Sequence, residues 1–228
     1  MAVAPPRRSD PPMTARQRSF VRALLRWYAR HQRPLPWRRT RDPYRVLVSE
    51  IMLQQTQVSR VLPKYREFLR RYPSLEDLAR APVRQVRETW YPLGYNARPV
   101  RLRETARTVV RRHGGRLPDT REALLALPGI GPYTAGAVLT FAHGKPTPIL
   151  DTNVRRVLRR IFFRDRAVAD RVLWTLAGSL LPPGDGYNFN QALMDFGATV
   201  CTARAPGCGE CPMRELCLAY PRLSRRAR

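Results

Sequence analysis

Cysteine is absent from the first 200 residues of this chain of 228, and its four cysteines all lie between Cys201 and Cys217. This distribution argues against a disulfide framework, because such frameworks belong to short secreted chains and spread through the fold. Long apolar runs are also missing. Nothing approaches the ~18 residues of a membrane span, and prolines interrupt the N-terminus before any signal-peptide core. We expect a protein of the reducing cytoplasm with no membrane association.

Acidic residues and lysines are scarce. The chain has 17 Asp and Glu against 42 Lys and Arg, a net charge of +25, and its only lysines are Lys64 and Lys145. Such an excess attracts a polyanion along a broad face, with an affinity that falls steeply as salt rises. Nucleic acid is therefore the leading predicted partner, and an anionic membrane surface or the ribosome is the alternative.

Alternating strand patterns are missing as well, whereas the helical apolar period recurs almost throughout, as in FVRALLRWYARH and VRLRETARTVVRRH. The predicted fold class is all-α, and 228 residues suffice for one large domain or two small ones. Residues 1–13 are rich in proline and residues 221–228 are basic with little apolar content. Both segments are predicted to be disordered tails.

The cysteines have the spacing C-x6-C-x2-C-x5-C, formed by Cys201, Cys208, Cys211 and Cys217. A tight Cys-Gly-Glu-Cys-Pro turn in the middle can direct two sulfurs at one centre. In a reducing compartment, clustered cysteines bind metal more often than one another. Four thiolates suit zinc or a 4Fe-4S cluster, and the spacing alone leaves both open.

Two helix junctions carry further signals. In LPGIGPYT, residues 127–134, one helix ends, Gly129 and Gly131 permit a hairpin with positive φ, and Pro132 begins the next helix. Backbone N–H groups at such a turn can contact a DNA phosphate without reading sequence. Asp151 occupies an N-cap position before an amphipathic helix, where the helix dipole is expected to keep its carboxylate ionised.

This hairpin, an Asp about twenty residues later and the four-cysteine loop resemble, in this order, the helix-hairpin-helix DNA glycosylases of the endonuclease III superfamily. The resemblance runs from about Leu35 to Cys217. It implies a two-lobed all-α fold with a C-terminal 4Fe-4S loop that supports DNA binding. A helical barrel would span residues 43–148, and residues 14–42 and 149–220 would form a discontinuous cluster domain, with DNA crossing the groove between them.

Within the superfamily, the chain is most similar to the MutY adenine glycosylases. The matching segments are LPWR (35–38), RDPYRVLVSEIMLQQTQV (41–58), LGYNAR (93–98) and LDTNVRRVL (150–158). The match implies that Glu50 and Asp151 are the catalytic carboxylates, brought to one pocket. Tyr133 stands where bifunctional members carry a nucleophilic lysine, so a monofunctional enzyme is implied. The residues implied to penetrate or wedge the DNA are Gln54, Gln55, Thr56, Leu93 and Tyr95.

The two carboxylates suit different steps of N-glycosidic bond cleavage. Apolar neighbours are expected to raise the pKa of Glu50, which could then protonate adenine at N7. An ionised Asp151 would stabilise the oxocarbenium ion that develops at C1′. The expected partner is double-stranded DNA with a mismatched or damaged base, bound by a monomer that is nucleoid-associated when on DNA. The expected substrate is adenine opposite guanine or 8-oxoguanine.

The sequence departs from the MutY pattern at two places. Asn96 replaces a second aromatic residue, and the 8-oxoguanine recognition domain with which MutY proteins usually continue does not follow Cys217. We therefore expect a smaller preference for 8-oxoguanine. Short glycosylases that remove thymine or uracil opposite guanine also end after the cluster and remain the alternative. A non-catalytic iron-sulfur DNA-binding module is a second alternative, against which the two carboxylates argue.

Overall fold

A computed structural model describes residues 12–225 of the chain, except for the side chain of Arg225. These residues form α-helices and two short 3-10 helices, Pro36–Arg38 and Arg214–Leu216, with no strand among them. The all-α prediction is confirmed. The α-helices are α1 Ala15–His31, α2 Pro43–Leu53, α3 Val58–Arg71, α4 Leu75–Arg80, α5 Val83–Trp90, α6 Ala97–His113, α7 Arg121–Leu125, α8 Pro132–Phe141, α9 Thr152–Phe163, α10 Asp170–Ser179, α11 Gly186–Thr199 and α12 Tyr220–Arg225.

The chain folds into two compact units. One unit is continuous, from Pro34 to Lys145, and contains α2 to α8. Its partner combines the chain up to Arg33 with the chain from Pro146 onward, and contains α1 and α9 to α12. Within residues 12–225, no helix is both long and apolar enough to span a bilayer.

Helix α2 is the centre of the continuous unit. Asp42 caps its first turn by accepting hydrogen bonds from the N–H groups of Tyr44 and Arg45, and Pro43 takes the first helical position. Every residue from Val46 to Met52 is buried, which is the pattern of a helix enclosed on all sides. Helix α2 packs against α3, α6 and α8, so side chains on its interior turns are shielded from water.

Residues 34–42 belong to this unit, although the sequence analysis assigned them to the cluster domain. Trp37 is buried and packs edge-on against Tyr65 of α3, with ring centroids 5.4 Å apart. Arg41 also donates a hydrogen bond to the carbonyl of Phe141 at 3.0 Å. These tertiary contacts have no local sequence signal.

The other unit has a single core made by α1, α9, α10 and α11, in which Phe20, Leu158, Leu173 and Phe196 are fully buried. Thr14 and Gln17 form a capping box at the start of α1. Residues 221–225, which were predicted as tail, belong to helix α12. The buried side chain of Leu223 anchors this helix to the protein. The remaining tail predictions, for residues 1–11 and 226–228, lie outside the described residues.

Candidate active site

Glu50 lies in the last two turns of α2 and is only 4% exposed. A hydroxyl from another helix reaches it: Tyr133, in the first turn of α8, donates a hydrogen bond to Glu50 Oε2 at 2.7 Å. Helix packing of α2 against α8 brings the two residues together across 83 positions of sequence. The neutral hydroxyl of Tyr133 therefore helps to fix the orientation of the buried carboxyl group.

Asp151 is the N-cap of α9, as predicted. Its Oδ1 accepts the backbone N–H of Val154 at 2.6 Å, and its Oδ2 accepts the side-chain amide of Asn153 at 3.2 Å. The donors of the cap favour the ionised form, as expected, but the burial of the group opposes it. Burial raises the pKa of Asp151, and although these hydrogen bonds lower it, they do not cancel the effect of burial.

Glu50 and Asp151 belong to different compact units. Each carboxyl group has its own local support, a phenol hydroxyl for Glu50 and helix-start donors for Asp151. Their meeting in one pocket stays a prediction.

The segment after α2 has an unusual backbone. Gln54 terminates the helix, and Gln55, which is exposed, adopts a left-handed conformation with φ +54°. Thr56 hydrogen-bonds through its hydroxyl to the carbonyl of Gln54 at 3.2 Å. A non-glycine residue in this region is strained, and such strain persists only where surrounding contacts over-determine the conformation.

Those contacts come largely from Arg98, a buried residue of α6. Its guanidinium donates to six acceptors from two segments: the carbonyls of Ile51, Met52, Gln54, Leu93 and Gly94, and the hydroxyl of Thr56. Two of these are helix-end carbonyls of α2 that lack an intrahelical partner. The positive charge also complements the negative end of the helix dipole. Arg98 therefore ties the end of the Glu50 helix to the loop before α6.

The sequence analysis did not identify Arg98 as a functional residue. It is one of 42 basic residues, and nothing in its local pattern separates a buried arginine from solvated ones. The guanidinium also lies 5.3 Å from the ring centroid of Tyr95 and 5.4 Å from that of Trp90. Only its tertiary surroundings show that it organises both segments.

The two predicted wedge residues of the loop before α6 differ in exposure. Tyr95 is 61% exposed and has a left-handed backbone, with φ +48°. Leu93 is only 3% exposed, so its side chain belongs to the core rather than to a DNA-facing tip. The burial of Leu93 argues against the wedge role that the resemblance implied for it, because a core side chain does not reach DNA.

The predicted hairpin joins α7 to α8. Gly129 has φ +79°, and a Cβ there would lie 3.1 Å from Cβ of Arg101, so both conformation and space favour glycine. The Thr105 hydroxyl donates to the Pro128 carbonyl and fixes the turn. Gly131 is different from its prediction: it is the N-cap of α8 with φ −97° and ψ 178°, an extended conformation open to other residues.

The four cysteines line one cavity, which is otherwise mostly apolar and includes Ile161, Phe196 and Leu223. Burial raises the pKa of Cys208, Cys211 and Cys217, for Cys211 to about 11. The protein alone therefore favours thiols there, and bound iron would supply the positive charge that stabilises thiolates. Within residues 12–225, no three Cys, His, Asp or Glu side chains are arranged to hold a single metal ion. Four thiols around a shared cavity fit a cluster.

Helix α9 holds the cysteine loop. Buried Arg160 donates to the carbonyls of Thr202 at 2.7 Å and Ala203 at 3.1 Å, and to Sγ of Cys201 at 3.4 Å. One turn earlier, Arg156 donates to the carbonyl of Cys201 at 2.8 Å. The helix that begins at Asp151 thus supports the cysteine loop along its length.

Comparisons with known proteins agree with this geometry. Residues 48–178 match the HhH-GPD superfamily of base excision DNA repair proteins, more than half of the chain. The chain belongs to this superfamily. Residues 201–217 match the iron-sulfur binding domain of endonuclease III, so Cys201, Cys208, Cys211 and Cys217 are the ligands of a 4Fe-4S cluster loop.

The relatives of this chain fall into two groups, which are named for two different activities. The chain is 44% identical to the adenine DNA glycosylase of Homo sapiens over 90% of its own length, but spans only 40% of that protein. It is 41% identical to the thymine/uracil-DNA glycosylase of Pyrobaculum aerophilum, covering 90% of this chain and 94% of that protein. The structure of a thermostable thymine-DNA glycosylase superimposes with a TM-score of 0.86 at 37% identity, covering 91% of this chain and 97% of that chain.

Proposed function

We propose that this protein is a monofunctional DNA N-glycosylase that removes a mispaired base from double-stranded DNA. The observation that carries the proposal is the buried Glu50 carboxyl group oriented by the Tyr133 hydroxyl at 2.7 Å. A protein that only bound DNA would have little use for a carboxyl group in a helix segment, residues 46–52, that is buried throughout. The family match and the relatives' names support the same chemistry.

In the proposed reaction, Glu50 begins as the acid. The target base leaves the helical stack, and Glu50 transfers its proton to N7 of adenine. The C1′–N9 bond then breaks with its electron pair moving to the base, so positive charge develops on the sugar. The Asp151 carboxylate stabilises that charge until water adds at C1′ and transfers a proton to the Glu50 carboxylate, which restores the acid. The products are free adenine and an abasic site.

Tyr133 acts in this scheme as a positioning residue. Its hydroxyl holds Glu50, and a phenol cannot form the Schiff base on which a lyase step depends. The two lysines are ion-paired elsewhere, Lys64 with Glu67 at 2.8 Å and Lys145 with Asp119 at 2.5 Å. We therefore expect borohydride to trap little covalent protein–DNA product. Efficient trapping that disappears in Lys145→Ala would contradict the monofunctional assignment.

The remaining parts of the proposal concern binding. Gln54, Gln55, Thr56 and Tyr95 contact the opened duplex, and the hairpin at Gly129 and Gly131 contacts a phosphate. When bound, the 4Fe-4S cluster braces the loop 201–217 through its four cysteine ligands. We also propose a monomer that acts in the cytoplasm, on DNA of the nucleoid, with the continuous unit as the helical barrel and the discontinuous unit as the cluster domain.

Adenine opposite guanine or 8-oxoguanine is the first candidate substrate. It is supported by the resemblance of residues 41–58 to MutY enzymes and by an acid suited to purine N7. Thymine or uracil opposite guanine is the second candidate. It is favoured by the 41% identity to the thymine/uracil-DNA glycosylase of Pyrobaculum aerophilum and by the 0.86 TM-score to a thymine-DNA glycosylase.

Single-turnover assays separate the two substrates. Duplexes with A/8-oxoguanine, A/G, T/G and U/G are treated with the protein, and abasic strands are then cleaved with alkali. The adenine assignment predicts faster release from the adenine pairs, with Glu50→Gln as the inactive control. Far faster release from T/G or U/G would favour the second candidate, and no release from any duplex would contradict the glycosylase proposal.

A further inference from the structure

The loop between α5 and α6 exposes two aromatic rings. Tyr91 is 73% exposed and Tyr95 is 61% exposed. In the described part of the chain, 12–225, the other exposed large hydrophobic residue is Val172, at 40%. Single exposed apolar residues are ordinary on a protein surface, but two aromatic rings within five positions of one loop indicate a binding surface. Sequence analysis identified Tyr95 but not Tyr91.

Several hydrogen bonds restrain the backbone of this loop. The exposed position of Tyr91 is therefore a fixed feature of the loop. The Leu93 side chain is buried, and its N–H donates to the carbonyl of Trp90 at 3.1 Å. The indole of Trp90 donates to the carbonyl of Gly94 at 3.2 Å. Arg60 of α3 donates to the carbonyl of Pro92, next to Tyr91. A ring presented on so restrained a loop loses little conformational entropy on binding.

The surroundings of Tyr91 favour an anionic partner with flat apolar faces. The guanidinium of Arg60 lies against the neighbouring Pro92, and Arg87 is exposed in the last turn of α5. The acidic residue of that turn, Glu88, is ion-paired with Arg84 at 2.9 Å. Double-stranded DNA that has opened at one base offers both complements, phosphates for arginine and unstacked base faces for tyrosine.

We propose that Tyr91 is a second DNA-stacking residue, whose ring packs on a nucleobase left unstacked when the target base is extruded. This inference rests on the proposed function and extends its binding surface. Tyr95 is held by Arg98, with 5.3 Å between guanidinium carbon and ring centroid, whereas Tyr91 projects from the opposite end of the same loop. Asn96 stands where the MutY pattern has its second aromatic residue, and Tyr91 supplies a ring from another position.

The test compares the Tyr91→Ser variant with the wild-type protein on two duplexes of one sequence. One duplex contains a tetrahydrofuran abasic analogue opposite guanine, and the other is fully paired. Binding is measured by fluorescence anisotropy. We expect Tyr91→Ser to weaken binding to the abasic duplex about ten-fold, because base–aromatic stacking has this order of strength, and to change binding to the paired duplex less than about two-fold.

A 2-aminopurine beside the abasic analogue gives a second readout, since stacking on tyrosine quenches its fluorescence. Wild type and Tyr91→Phe are expected to quench it, and Tyr91→Ser is not. Tyr91→Phe should also bind within about two-fold of wild type, because the ring face rather than the hydroxyl makes the contact. The control is Val172→Ala, which changes an exposed hydrophobic residue of the other unit and should match wild type in both assays.

Three results would overturn the proposal: equal binding of Tyr91→Ser and wild type to the abasic duplex, equal weakening on both duplexes, or a Tyr91→Phe variant as weak as Tyr91→Ser. Circular dichroism checks that each variant is folded. The abasic duplex requires no base release, so these results are independent of the glycosylase assay. A wild type that binds as expected but releases no base would contradict the proposed function and leave the stacking role of Tyr91 intact.

Discussion

The surroundings of Glu50 and of Asp151 use opposite means to hold a carboxyl group. Glu50 lies inside a helix, enclosed on all sides and bonded to a neutral hydroxyl from α8. Asp151 lies at the start of a helix, where a backbone N–H and an amide converge on it. The Tyr133 hydroxyl contacts Glu50 as a neutral donor, whereas the donors at Asp151 favour its charged form against the effect of burial. Two similar side chains therefore have different surroundings, and we propose different catalytic roles for them on that basis.

The largest expected effect comes from removing either carboxyl group. Glu50→Gln and Asp151→Asn should each lower single-turnover base release by about 10²–10⁴-fold, because each is proposed to act in the transition state. Duplex binding, measured by anisotropy, should change little. Tyr133→Phe keeps Glu50 but removes its hydrogen bond, and should lose less than either variant. A Tyr133→Phe variant as inactive as Glu50→Gln would make the hydroxyl a chemical participant rather than a positioning group.

A smaller loss of base release is expected when Arg98, which supports the end of the Glu50 helix, is replaced. Arg98→Gln cannot satisfy the six acceptors in the segments around Gln54 and Gly94, so the strained backbone at Gln55 should relax. We expect base release to fall by about 10–10²-fold through misplacement of the reacting groups.

Arg98→Lys keeps the charge but not the planar set of donors, and should recover only part of the rate. The exposed Arg111 in the last turn of α6 provides a control, since Arg111→Gln removes an equal charge without buried contacts. Equal rates for Arg98→Gln and Arg111→Gln would show that Arg98 contributes only its charge.

Near Asp151, helix α11 approaches the start of α9 closely at Gly197. The importance of this close packing can be tested by adding a methyl group there. A Cβ at Gly197 would lie 2.7 Å from Cβ of Asn153 and 3.2 Å from its backbone, so Gly197→Ala must displace the start of α9. We expect the free energy of unfolding to fall by about 1–3 kcal/mol, measured by urea denaturation, together with slower base release.

The matched control is Gly178→Ala in α10 of the same unit. A Cβ there would meet only Pro148, at the ordinary distance of 3.9 Å. That variant should be neutral or slightly stabilising, because alanine is the better helix former. If both Gly197→Ala and Gly178→Ala lose stability, the effect is due to replacing helix glycines in general and not to the contact between Gly197 and Asn153.

The smallest effect concerns pH. Burial raises the pKa of Asp151, so its carboxylate is lost by protonation at a higher pH than that of an exposed aspartate. Base release should be retained above that pKa and should decline as the pH falls through it. Asn153→Ala removes a hydrogen bond that favours the charged form of Asp151. In that variant the decline of base release at low pH, the acid limb of the pH–rate profile, should move to higher pH.

Changes in the unrelated pair of Asp119 and Lys145 should leave the limb in place, since that ion pair is exposed and belongs to the other unit. An acid limb that is the same in wild type and in Asn153→Ala would indicate that another group controls it.

The parts of the site that could be predicted are those with local signals. The cap at Asp151 follows from an acidic residue before an amphipathic helix, and the turn at Gly129 follows from Pro-Gly between two helical patterns. The cysteine spacing predicted a metal-binding loop, and the resemblance to endonuclease III specified the cluster. The burial of Leu93, the extended backbone of Gly131 and the burial that raises the pKa of Asp151 were not predicted, because each depends on what distant segments place around the residue.

Composition and spacing by themselves determined that the chain is helical, basic and equipped with four thiols in one loop, since these properties reside in neighbouring residues and in their periodicity. Tertiary structure alone decided which of many arginines becomes the buried Arg98 that joins two loops, and which tyrosines become the half-buried Tyr133 on Glu50 and the exposed Tyr91. Burial is the physical reason. A side chain's partners, pKa and accessibility are set by the helices packed over it, and those helices come from positions far away in the chain.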